Sequence, residues 1–242
     1  MGTKVKPYKE DVSSKKEQVA KMFDAIAGNY DFLNHFLSLG IDILWRRRAI
    51  KELKALQPNS ILDIATGTAD LAIEASRLNP KKIVGIDISN NMLKHGRQKI
   101  NTKNLNETID LRYGDSENLE FEDNEFDAVT AGFGVRNFEN LKKGLDEMYR
   151  VLKTNGKVVI IEPSEPVSFP FKQLYSFYFK GLLPLIGKLF SKDNSAYTYL
   201  PQSVEAFPTR EKFLIELEKS GFKNVEFVPL TFGIAALYIA TK

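Results

Sequence analysis

The chain has 242 residues, of which 43% are hydrophobic, so it is long enough to fold one large α/β domain around a sizeable core. It has no cysteine and two histidines, His35 and His95, which excludes disulfides and cysteine-ligated metal sites and argues against a metal centre. Its 34 basic and 31 acidic residues give a net charge of +3, which does not indicate a nucleic-acid-binding protein but permits contact with an anionic membrane surface.

The N-terminal region is predicted to change from a flexible segment, residues 1–15, to helices that cover the site, residues 16–56. The first segment is polar and rich in lysine, and it lacks the apolar core of a signal peptide. After it, apolar side chains recur at spacings of three and four, with interruptions near Gly28 and Gly40, which indicates two or three helices. Because no window of the chain reaches the roughly 18 apolar residues of a membrane span, the protein is expected in the cytoplasm.

Five short apolar runs follow, separated by stretches with helical spacing. In chain order they are SILDIA, KIVGID, IDLRYG, FDAVTA and GKVVIIE. Such alternation is typical of a parallel sheet with helices on both faces, which binds ligands at the carboxyl ends of its strands. The end of the chain indicates a helix that stops at Gly221 and then two strands joined by a tight turn, which predicts an antiparallel hairpin at the sheet edge. One α/β domain over residues 57–242 is therefore expected.

An insertion with no counterpart in a minimal sheet of this kind spans residues 164–200. Between Phe169 and Phe190 it is rich in Phe, Tyr, Leu and Ile, with lysines interleaved. Such a segment either packs on the sheet and enlarges the core, or forms an amphipathic lid that covers a lipid substrate and touches the membrane. The lid is the favoured interpretation.

The stretch LDIATGTADL, residues 62–71, places one glycine between the first predicted strand and a helix. Backbone N–H groups at the helix N-terminus and small residues let a ligand approach the main chain at Gly67. Asp87 ends the second strand 87 − 67 = 20 residues later, the spacing at which a carboxylate accepts ribose hydroxyls. Asp115 and Ser116 follow the third strand, where an acid suits the amino group of adenine. These residues predict a nucleoside site, although an isolated glycine loop can also be a plain strand–helix connection.

The chemistry of this loop favours S-adenosylmethionine over a dinucleotide. A dinucleotide site needs several glycines around a pyrophosphate, whereas this loop has one glycine and no basic residue. Asp63, at the end of the first strand, would repel a phosphate but attract the ammonium or sulfonium group of S-adenosylmethionine. An NAD-linked oxidoreductase is the second hypothesis.

Three further segments are more specific motifs than the glycine loop: YDFLNHFLSLGIDILWRRR, AGFGVRNFEN and DEMYRVLKTNGKVVIIEPSEP. They resemble signature segments of the ubiquinone/menaquinone biosynthesis C-methyltransferases, and the similarity covers nearly the whole chain after the first fifteen residues. The residues that match the first signature are Tyr30, Asp31, Asn34, Ser38, Gly40 and Trp45. The chain departs from the family at Asp42, which usually is histidine, and at Gly132, which stands for a cofactor-contacting serine. Position 42 is therefore expected to do no indispensable chemistry.

The resemblance implies a class I methyltransferase fold, with a seven-stranded, mostly parallel, Rossmann-like sheet that ends in an antiparallel C-terminal hairpin. It implies S-adenosylmethionine as the cofactor, contacted at Thr68, Asp87, Asp115 and Ser116. The implied reaction is methylation of a ring carbon of a prenylated quinol, demethylmenaquinol, with the benzoquinol precursor of ubiquinone as a further candidate. A lipid-tailed substrate implies peripheral contact with the inner face of the membrane, and a homodimer is left open.

Three residues are candidates for the chemistry itself. Arg136 and Asn137 follow the fourth strand, at the mouth where the sulfonium should lie. Arg136 could stabilise a quinol phenolate and Asn137 could orient it, although the pair could also be a solvated arginine beside a helix-capping asparagine. Tyr30 could cover the methionine part of the cofactor or hold a quinol oxygen, and its other interpretation is helix packing. His35 and His95 are interpreted as ordinary helix residues.

Other functions stay open at this point. The same fold could methylate another lipid or a small phenol, the chain could be an NAD-linked oxidoreductase, or it could be a non-catalytic nucleotide-binding or membrane-associated subunit. Acidic residues at three strand ends, together with Arg136, favour an enzyme over the last of these. No nucleic-acid partner is expected.

Overall fold

The computed structural model describes residues 5–8, 10–177, 181 and 195–242. Its helices are α1 (Lys15–Ile26), α2 (Tyr30–Leu37), α3 (Ile41–Lys51), α4 (Asp70–Ala75), α5 (Asn90–Thr102), α6 (Leu141–Val151), α7 (Phe171–Phe177), α8 (Ser195–Ala206) and α9 (Glu211–Lys219). Its strands are β1 (Ser60–Ile64), β2 (Lys82–Asp87), β3 (Ile109–Tyr113), β4 (Phe126–Gly132), β5 (Leu152–Pro163), β6 (Lys223–Leu230) and β7 (Ala235–Thr241). Short 3₁₀ turns include Val135–Asn137 after β4 and Thr231–Gly233 between β6 and β7.

Within the described residues, seven strands form one sheet in the order β3-β2-β1-β4-β5-β7-β6. Strand β7 pairs antiparallel with both β5 and β6, and the other neighbouring pairs are parallel. The predicted strand–helix alternation and the C-terminal hairpin are confirmed. Because β1 pairs with β2 on one side and with β4 on the other, the chain order reverses there, and a crevice forms at the carboxyl ends of these strands.

Side chains of the sheet are buried on both faces. Leu62 and Ile64 of β1 belong to a buried cluster that includes side chains of α6 and α9. Ile61, on the opposite face, belongs to a second cluster with side chains of α3, α4 and α5. This burial on both faces explains why the strands are continuous apolar runs in the sequence and do not alternate with polar residues.

The N-terminal helices stop where glycines interrupt their apolar pattern. α1 starts with a capping box, in which Ser14 Oγ accepts the N–H of Glu17 and the Glu17 carboxylate accepts the N–H of Ser14. A 3₁₀ turn at Ala27–Asn29 separates α1 from α2, and Gly40, with a φ of 76°, precedes α3. The prediction of helices over residues 16–56, broken near Gly28 and Gly40, is confirmed.

The segment before α1, which the sequence predicts to be flexible, is hydrogen-bonded to α1 in its described part. The side-chain amide of Gln18 donates to the carbonyl oxygens of Asp11 and Ser13 at 2.8 and 3.0 Å, and its oxygen accepts the N–H of Tyr8 at 3.0 Å. Gln18 is fully buried, so these bonds replace its contacts with water.

The predicted insertion lies partly within the described residues. Helix α7 and Gly181 are described, whereas residues 178–180 and 182–194, which include most of the predicted lid, lie outside the described part of the chain. Phe171 of α7 stacks on Phe232, with ring centroids 3.9 Å apart, so α7 contacts the β6–β7 turn. None of the helices in the described ranges is long and apolar enough to cross a bilayer.

Candidate active site

The carboxyl ends of β1, β2 and β3, together with α1, enclose a small cavity of about 60 Å³, here called the first cavity. Four of the predicted cofactor-binding residues line it: Gly67, Asp87, Asp115 and Ser116. Gly67 has a φ of 57°, which glycine adopts without strain, and it turns the loop toward α4. The three parallel strands end at the same edge of the sheet, and this brings the four residues together.

Asp87 joins the glycine loop to the second strand. Its Oδ2 accepts the N–H of Gly67 and its Oδ1 accepts the N–H of Ser89, each at 2.8 Å. Burial raises the pKa of Asp87 from 3.8 to about 6, although these hydrogen bonds favour the charged form. Because each carboxylate oxygen can accept a second hydrogen bond, Asp87 can take ribose hydroxyls while it holds the loop.

Asp115 lies on the side of the first cavity that α1 covers. The Nζ of Lys16 is 2.6 Å from Asp115 Oδ2, and the N–H of Glu117 donates to Oδ1 at 2.9 Å. Lys16 also lines the cavity, so it closes over the acid that was predicted to take the adenine amino group. This ion pair is partly exposed and therefore weak, so a bound adenine can displace Lys16.

Asp63 is not among the described residues that line the first cavity. It is fully buried beneath the loop, where the hydroxyls of Thr66 and Thr130 donate to its two oxygens at 2.6 and 2.7 Å. The carboxylate fixes the loop to β4 from below. Its attraction for the ammonium or sulfonium group of S-adenosylmethionine stays a prediction.

The side chain of Thr68, which the family resemblance predicts to contact the cofactor, contacts α2 and α5. Its hydroxyl donates to the carboxylate of Asp31 and accepts a hydrogen bond from Lys99 Nζ at 3.2 Å. Lys99 also pairs with Asp31, at 2.8 Å, and with Asp70. The side chain of Thr68 therefore links the loop to α2 and does not line the first cavity.

A larger and mostly apolar cavity of about 520 Å³, here called the second cavity, adjoins the first. Residues of α1, α2, α3, α7, α8 and the β6–β7 turn line it. The two spaces meet at four residues that line both cavities: Phe23, Tyr30, Phe133 and Asn137. A ligand in one cavity can therefore contact a ligand in the other.

Arg136 lines the second cavity and is held by a buried carboxylate. Its Nη1 lies 2.9 Å from Glu162 Oε2, and the same nitrogen donates to the carbonyl of Phe133. The backbone N–H of Arg136 donates to Glu162 Oε1 at 3.2 Å. Burial raises the pKa of Glu162, while the Arg136 charge opposes this shift. Arg136 is 7% exposed, so the alternative of a solvated arginine is wrong.

Asn137 is not a helix cap either. The cap of α6 is Asn140, whose side-chain oxygen accepts the N–H of Lys143. Asn137 is buried, and its side-chain oxygen has no hydrogen-bond partner among the described residues. An unpaired buried acceptor costs about 1–3 kcal/mol. Its place between the two cavities therefore indicates a position where a ligand donates a hydrogen bond.

Tyrosine hydroxyls border the same space. Burial raises the pKa of Tyr30, so its phenol stays protonated at neutral pH and can donate. Tyr199 of α8 lines the second cavity, and its buried hydroxyl has no hydrogen-bond partner in the described part of the chain. Burial raises the pKa of Tyr199 to about 12. Neither Tyr199 nor Glu162 is among the site residues predicted from the sequence. For Glu162 the available signal was an acid at the end of the apolar run GKVVIIE.

The chain is similar to known methyltransferases. The model of the ubiE/COQ5 methyltransferase family matches residues 11–242. The demethylmenaquinone methyltransferase of Bacteroides fragilis is 53% identical over 240 residues, which cover 99% of this chain and 98% of the relative. The ubiquinone/menaquinone biosynthesis C-methyltransferase UbiE of Geotalea daltonii is 46% identical over 233 residues, which cover 96% and 99%.

Two solved structures with a similar fold carry the name SAM-dependent methyltransferase. A SAM-dependent methyltransferase from Thermotoga maritima superposes with a TM-score of 0.62 at 18% identity, covering 92% of this chain and 99% of that one. One from Aquifex aeolicus gives a TM-score of 0.57 at 18% identity and covers 79% and 88%. The predicted class I methyltransferase fold is therefore confirmed.

Proposed function

Since the chain belongs to the ubiE/COQ5 methyltransferase family, we propose that it methylates a ring carbon of demethylmenaquinol. It is an enzyme, and its cofactor is S-adenosylmethionine. The observation that carries the proposal is the meeting of a small cavity bounded by acids with a large apolar one at Tyr30 and Asn137. One space suits a nucleoside and the other suits an apolar ring with part of a lipid tail.

The first cavity fits S-adenosylmethionine by its chemistry. Asp87 can accept the ribose hydroxyls, and Asp115 with Ser116 can take the adenine amino group. The unpartnered oxygen of Asn137 is an acceptor at the inner end of the same cavity. When bound, S-adenosylmethionine supplies an electrophilic methyl group on a positively charged sulfur. These contacts remain proposals for each of the residues.

The residues at the junction suit the activation of a quinol. A ring carbon becomes nucleophilic when the neighbouring hydroxyl loses its proton. Glu162 holds the guanidinium of Arg136 in place. The N–H donors of Arg136 can therefore stabilise the phenolate oxygen without a change in the position of the side chain. The Arg136–Glu162 pair has no net charge, and the stabilisation therefore comes from directed donors. Tyr30 and Asn137 can hold and orient the ring at the boundary of the cavities.

The second cavity favours a lipid-tailed ring over a small phenol. Leu39, Leu174 and Phe232 line it and are also exposed to solvent, and together they are called the apolar rim. A prenyl tail that leaves the cavity across this rim would remove apolar surface from water, whereas a small phenol would not. The benzoquinol precursor of ubiquinone is the second candidate substrate, because relatives such as that of Geotalea daltonii are named for both quinones.

The apolar rim also supports the proposal that the protein contacts the inner face of the membrane. Leu39, Leu174 and Phe232 are 84%, 61% and 66% exposed, and Phe171 stacks on Phe232 at 3.9 Å. A cluster of exposed apolar side chains around a cavity mouth is typical of an interaction surface. The partner proposed for it is the lipid surface in which a long-tailed quinol is dissolved. The homodimer stays a prediction.

The proposed function is tested with isotope-labelled S-adenosylmethionine and anaerobically reduced demethylmenaquinone. The expected product is menaquinol with the label on a ring carbon, identified by mass spectrometry. Parallel reactions with the benzoquinol precursor and with a tailless phenol test the other substrates, and calorimetry with S-adenosylhomocysteine and NADH tests the oxidoreductase alternative. Absence of labelled naphthoquinol, in a preparation that binds S-adenosylhomocysteine, would contradict the proposed substrate.

A further inference from the structure

The wall of the second cavity formed by α2 and α3 carries a polar cluster that the proposed chemistry does not use. Ser38, Asp42 and Arg46 all line the cavity there. Asp42 and Arg46 are buried, and Asp42 is one of the positions where the chain departs from the family signature. Polar side chains in an otherwise apolar cavity usually fix the orientation of a ligand.

Asp42 is an ionised acceptor in this cluster. Arg46 donates to its Oδ2, and His35 Nδ1 lies 2.8 Å from the same oxygen. Burial on its own raises the pKa of Asp42, but the hydrogen bond from Ser38 and the charge of Arg46 outweigh it, so the pKa lies below its usual value. At neutral pH the carboxylate therefore has no proton to donate.

The charge of Asp42 fixes the direction of the Ser38 hydroxyl. Ser38 Oγ lies 2.6 Å from Asp42 Oδ1, and the hydrogen in this bond must come from Ser38. The carbonyl of His35, at 3.4 Å, is a longer and weaker alternative acceptor. Because a serine hydroxyl has one hydrogen and two lone pairs, Ser38 presents lone pairs to the cavity and can act there as an acceptor.

We infer that Ser38 accepts a hydrogen bond from the second ring hydroxyl of the quinol and so selects the reduced ring. The inference rests on the proposed function. In a 1,4-quinol the hydroxyl next to the methylated carbon loses its proton, and the hydroxyl across the ring keeps its hydrogen. An oxidised quinone has carbonyl oxygens at both positions and cannot donate to Ser38. The quinone therefore lacks the hydrogen bond to Ser38 that the quinol makes, and the quinol binds more tightly by the value of that one contact.

This selection has a functional reason. The oxidised ring is electron-poor and has no nucleophilic carbon, so it would occupy the cavity without reacting. A membrane that supplies the quinol also contains its oxidised form. A single acceptor held by Asp42 would keep the cavity available for the ring that can be methylated.

Binding of the ring can be measured without turnover. Trp45 is the single tryptophan of the chain and lines the second cavity, so its fluorescence reports ring binding directly. Short-tailed naphthoquinol and naphthoquinone are titrated anaerobically into protein saturated with S-adenosylhomocysteine. The wild type is expected to prefer the quinol by about tenfold, the value of one hydrogen bond of about 1.4 kcal/mol.

Variants at Ser38 separate a hydrogen bond from packing. Ser38→Ala should weaken quinol binding about tenfold and leave quinone binding unchanged, so the preference disappears. Ser38→Thr keeps the hydroxyl and should keep the preference. If Ser38→Ala loses the fold, Ser38→Cys, a weak acceptor of similar shape, gives the same test. Ser76→Ala is the matched control, because Ser76 Oγ donates to the Ile73 carbonyl at 2.8 Å and Ser76 is not among the described residues that line either cavity.

The outcomes distinguish this inference from the proposed function. Equal losses for quinol and quinone in Ser38→Ala would overturn the inference, because Ser38 would then act only through the position of Asp42. Unchanged quinol affinity would overturn it as well. A wild type that binds S-adenosylhomocysteine but neither ring contradicts the proposed function, whereas a wild type that methylates the quinol without any preference in binding contradicts the Ser38 inference alone.

Discussion

Arg136 and Glu162 form a buried ion pair that connects the turn after β4 to the end of β5, with Nη1 2.9 Å from Oε2. Their side chains are 8% and 0% exposed. Pairs at this depth add little net stability, because the cost of desolvating both charges offsets their attraction. The pair instead holds the guanidinium rigidly at the cavity junction, where the proposed reaction develops negative charge.

Replacement of Arg136 by alanine is expected to lower kcat about 10²-fold or more, as the loss of a directed donor does in other enzymes, with little change in S-adenosylhomocysteine affinity. Arg136→Lys keeps the charge but loses the planar fork, so it should recover part of the activity. Raising the pH should partly restore the alanine variant, because hydroxide supplies some of the quinolate. The measurement is kcat against pH for the three proteins.

Alanine at position 136 also leaves the Glu162 carboxylate buried without its partner. The double variant Arg136→Ala/Glu162→Gln removes that unpaired charge. Its kcat therefore shows whether activity falls because the Arg136 donor is missing or because the protein no longer folds. Arg112→Ala, which removes an arginine from an exposed pair with Asp110 on β3, is the control and should keep full kcat. Full activity of Arg136→Ala, or a loss that cofactor affinity explains, would exclude the proposed role.

Cofactor affinity should depend on the protonation of Asp87. Asp87→Ala is expected to weaken binding by more than ~1.5 kcal/mol, because an acceptor of ribose hydroxyls is lost from a buried site. Burial raises the pKa of Asp87 to about 6, so the wild-type affinity should fall as the pH drops through about 6 and the carboxylate is protonated. Calorimetry with S-adenosylhomocysteine at several pH values measures both effects.

Asp63 has a similar pKa, so the test of Asp87 is the difference between wild type and Asp87→Ala at each pH. The exposed Asp110 offers a matched control, because Asp110→Ala removes a carboxylate of β3 that is not among the described lining residues. A folded Asp87→Ala protein with wild-type affinity would contradict a ribose contact at this residue.

The sheet and the position of the glycine loop could be predicted because they depend on local patterns. Apolar runs and glycines indicate where the strands and their connections lie, and parallel strands bring Asp87 and Asp115 to one edge. The direction of each side chain in the loop could not be predicted in the same way. Ala65 and Ala69, with φ values of 52° and 68°, adopt a left-handed conformation that is rare for alanine, so the path of the loop does not follow from its residue types.

Contacts between distant segments account for the other differences. Glu162 pairs with Arg136, which lies 26 residues earlier in the chain, and the sequence around either residue does not indicate this pairing. Asp42 was expected to do no indispensable chemistry, because it replaces the histidine of the family signature. The structure surrounds it with Ser38, His35 and Arg46, a set that becomes visible only when α2 and α3 pack together.

Asp63 should make the protein less stable as the pH rises from about 4 to about 6. Burial raises its pKa from 3.8 to about 6, against hydrogen bonds from Thr66 and Thr130. In this window the folded state binds more protons than the unfolded chain, so the free energy of unfolding falls with increasing pH. A shift of about two units corresponds to a decline on the order of 3 kcal/mol. In urea unfolding between pH 4 and pH 7, Asp63→Asn should show a smaller decline than the wild type, and the contribution of Asp87, whose pKa is also about 6, should remain.

Asp127→Asn provides a control with the opposite sign. Burial raises the pKa of Asp127, but hydrogen bonds from Lys153 and Ser60 lower it more, so the net shift is downward. Its contribution to stability is present above the unfolded pKa and is lost as the pH falls. Asp127→Asn should therefore lose stability at neutral pH and lose less in acid. Identical pH profiles for wild type and Asp63→Asn would show that Asp63 does not titrate in the expected range.

The apolar rim gives the last expectation, which concerns the membrane. Leu39→Glu/Phe232→Glu places two carboxylates where the proposed lipid contact lies, and burial of an unpaired carboxylate in lipid is strongly unfavourable. The double variant should bind less to vesicles containing anionic lipid, and its KM for long-tailed demethylmenaquinol in those vesicles should rise at least severalfold. The matched control is Ile215→Glu, which changes an exposed isoleucine on α9.

A comparison of long-tailed and short-tailed substrates distinguishes a loss of membrane contact from a change in ring binding. Leu39 and Phe232 also line the second cavity, so their replacement could disturb ring binding itself. A short-tailed quinol in solution measures that disturbance, because it reaches the cavity without crossing a lipid surface. If the rim contacts the membrane, KM rises for the long-tailed substrate in vesicles and stays near the wild-type value for the short-tailed one. Equal increases for both substrates, with unchanged vesicle binding, would mean that the rim serves the cavity and not the membrane.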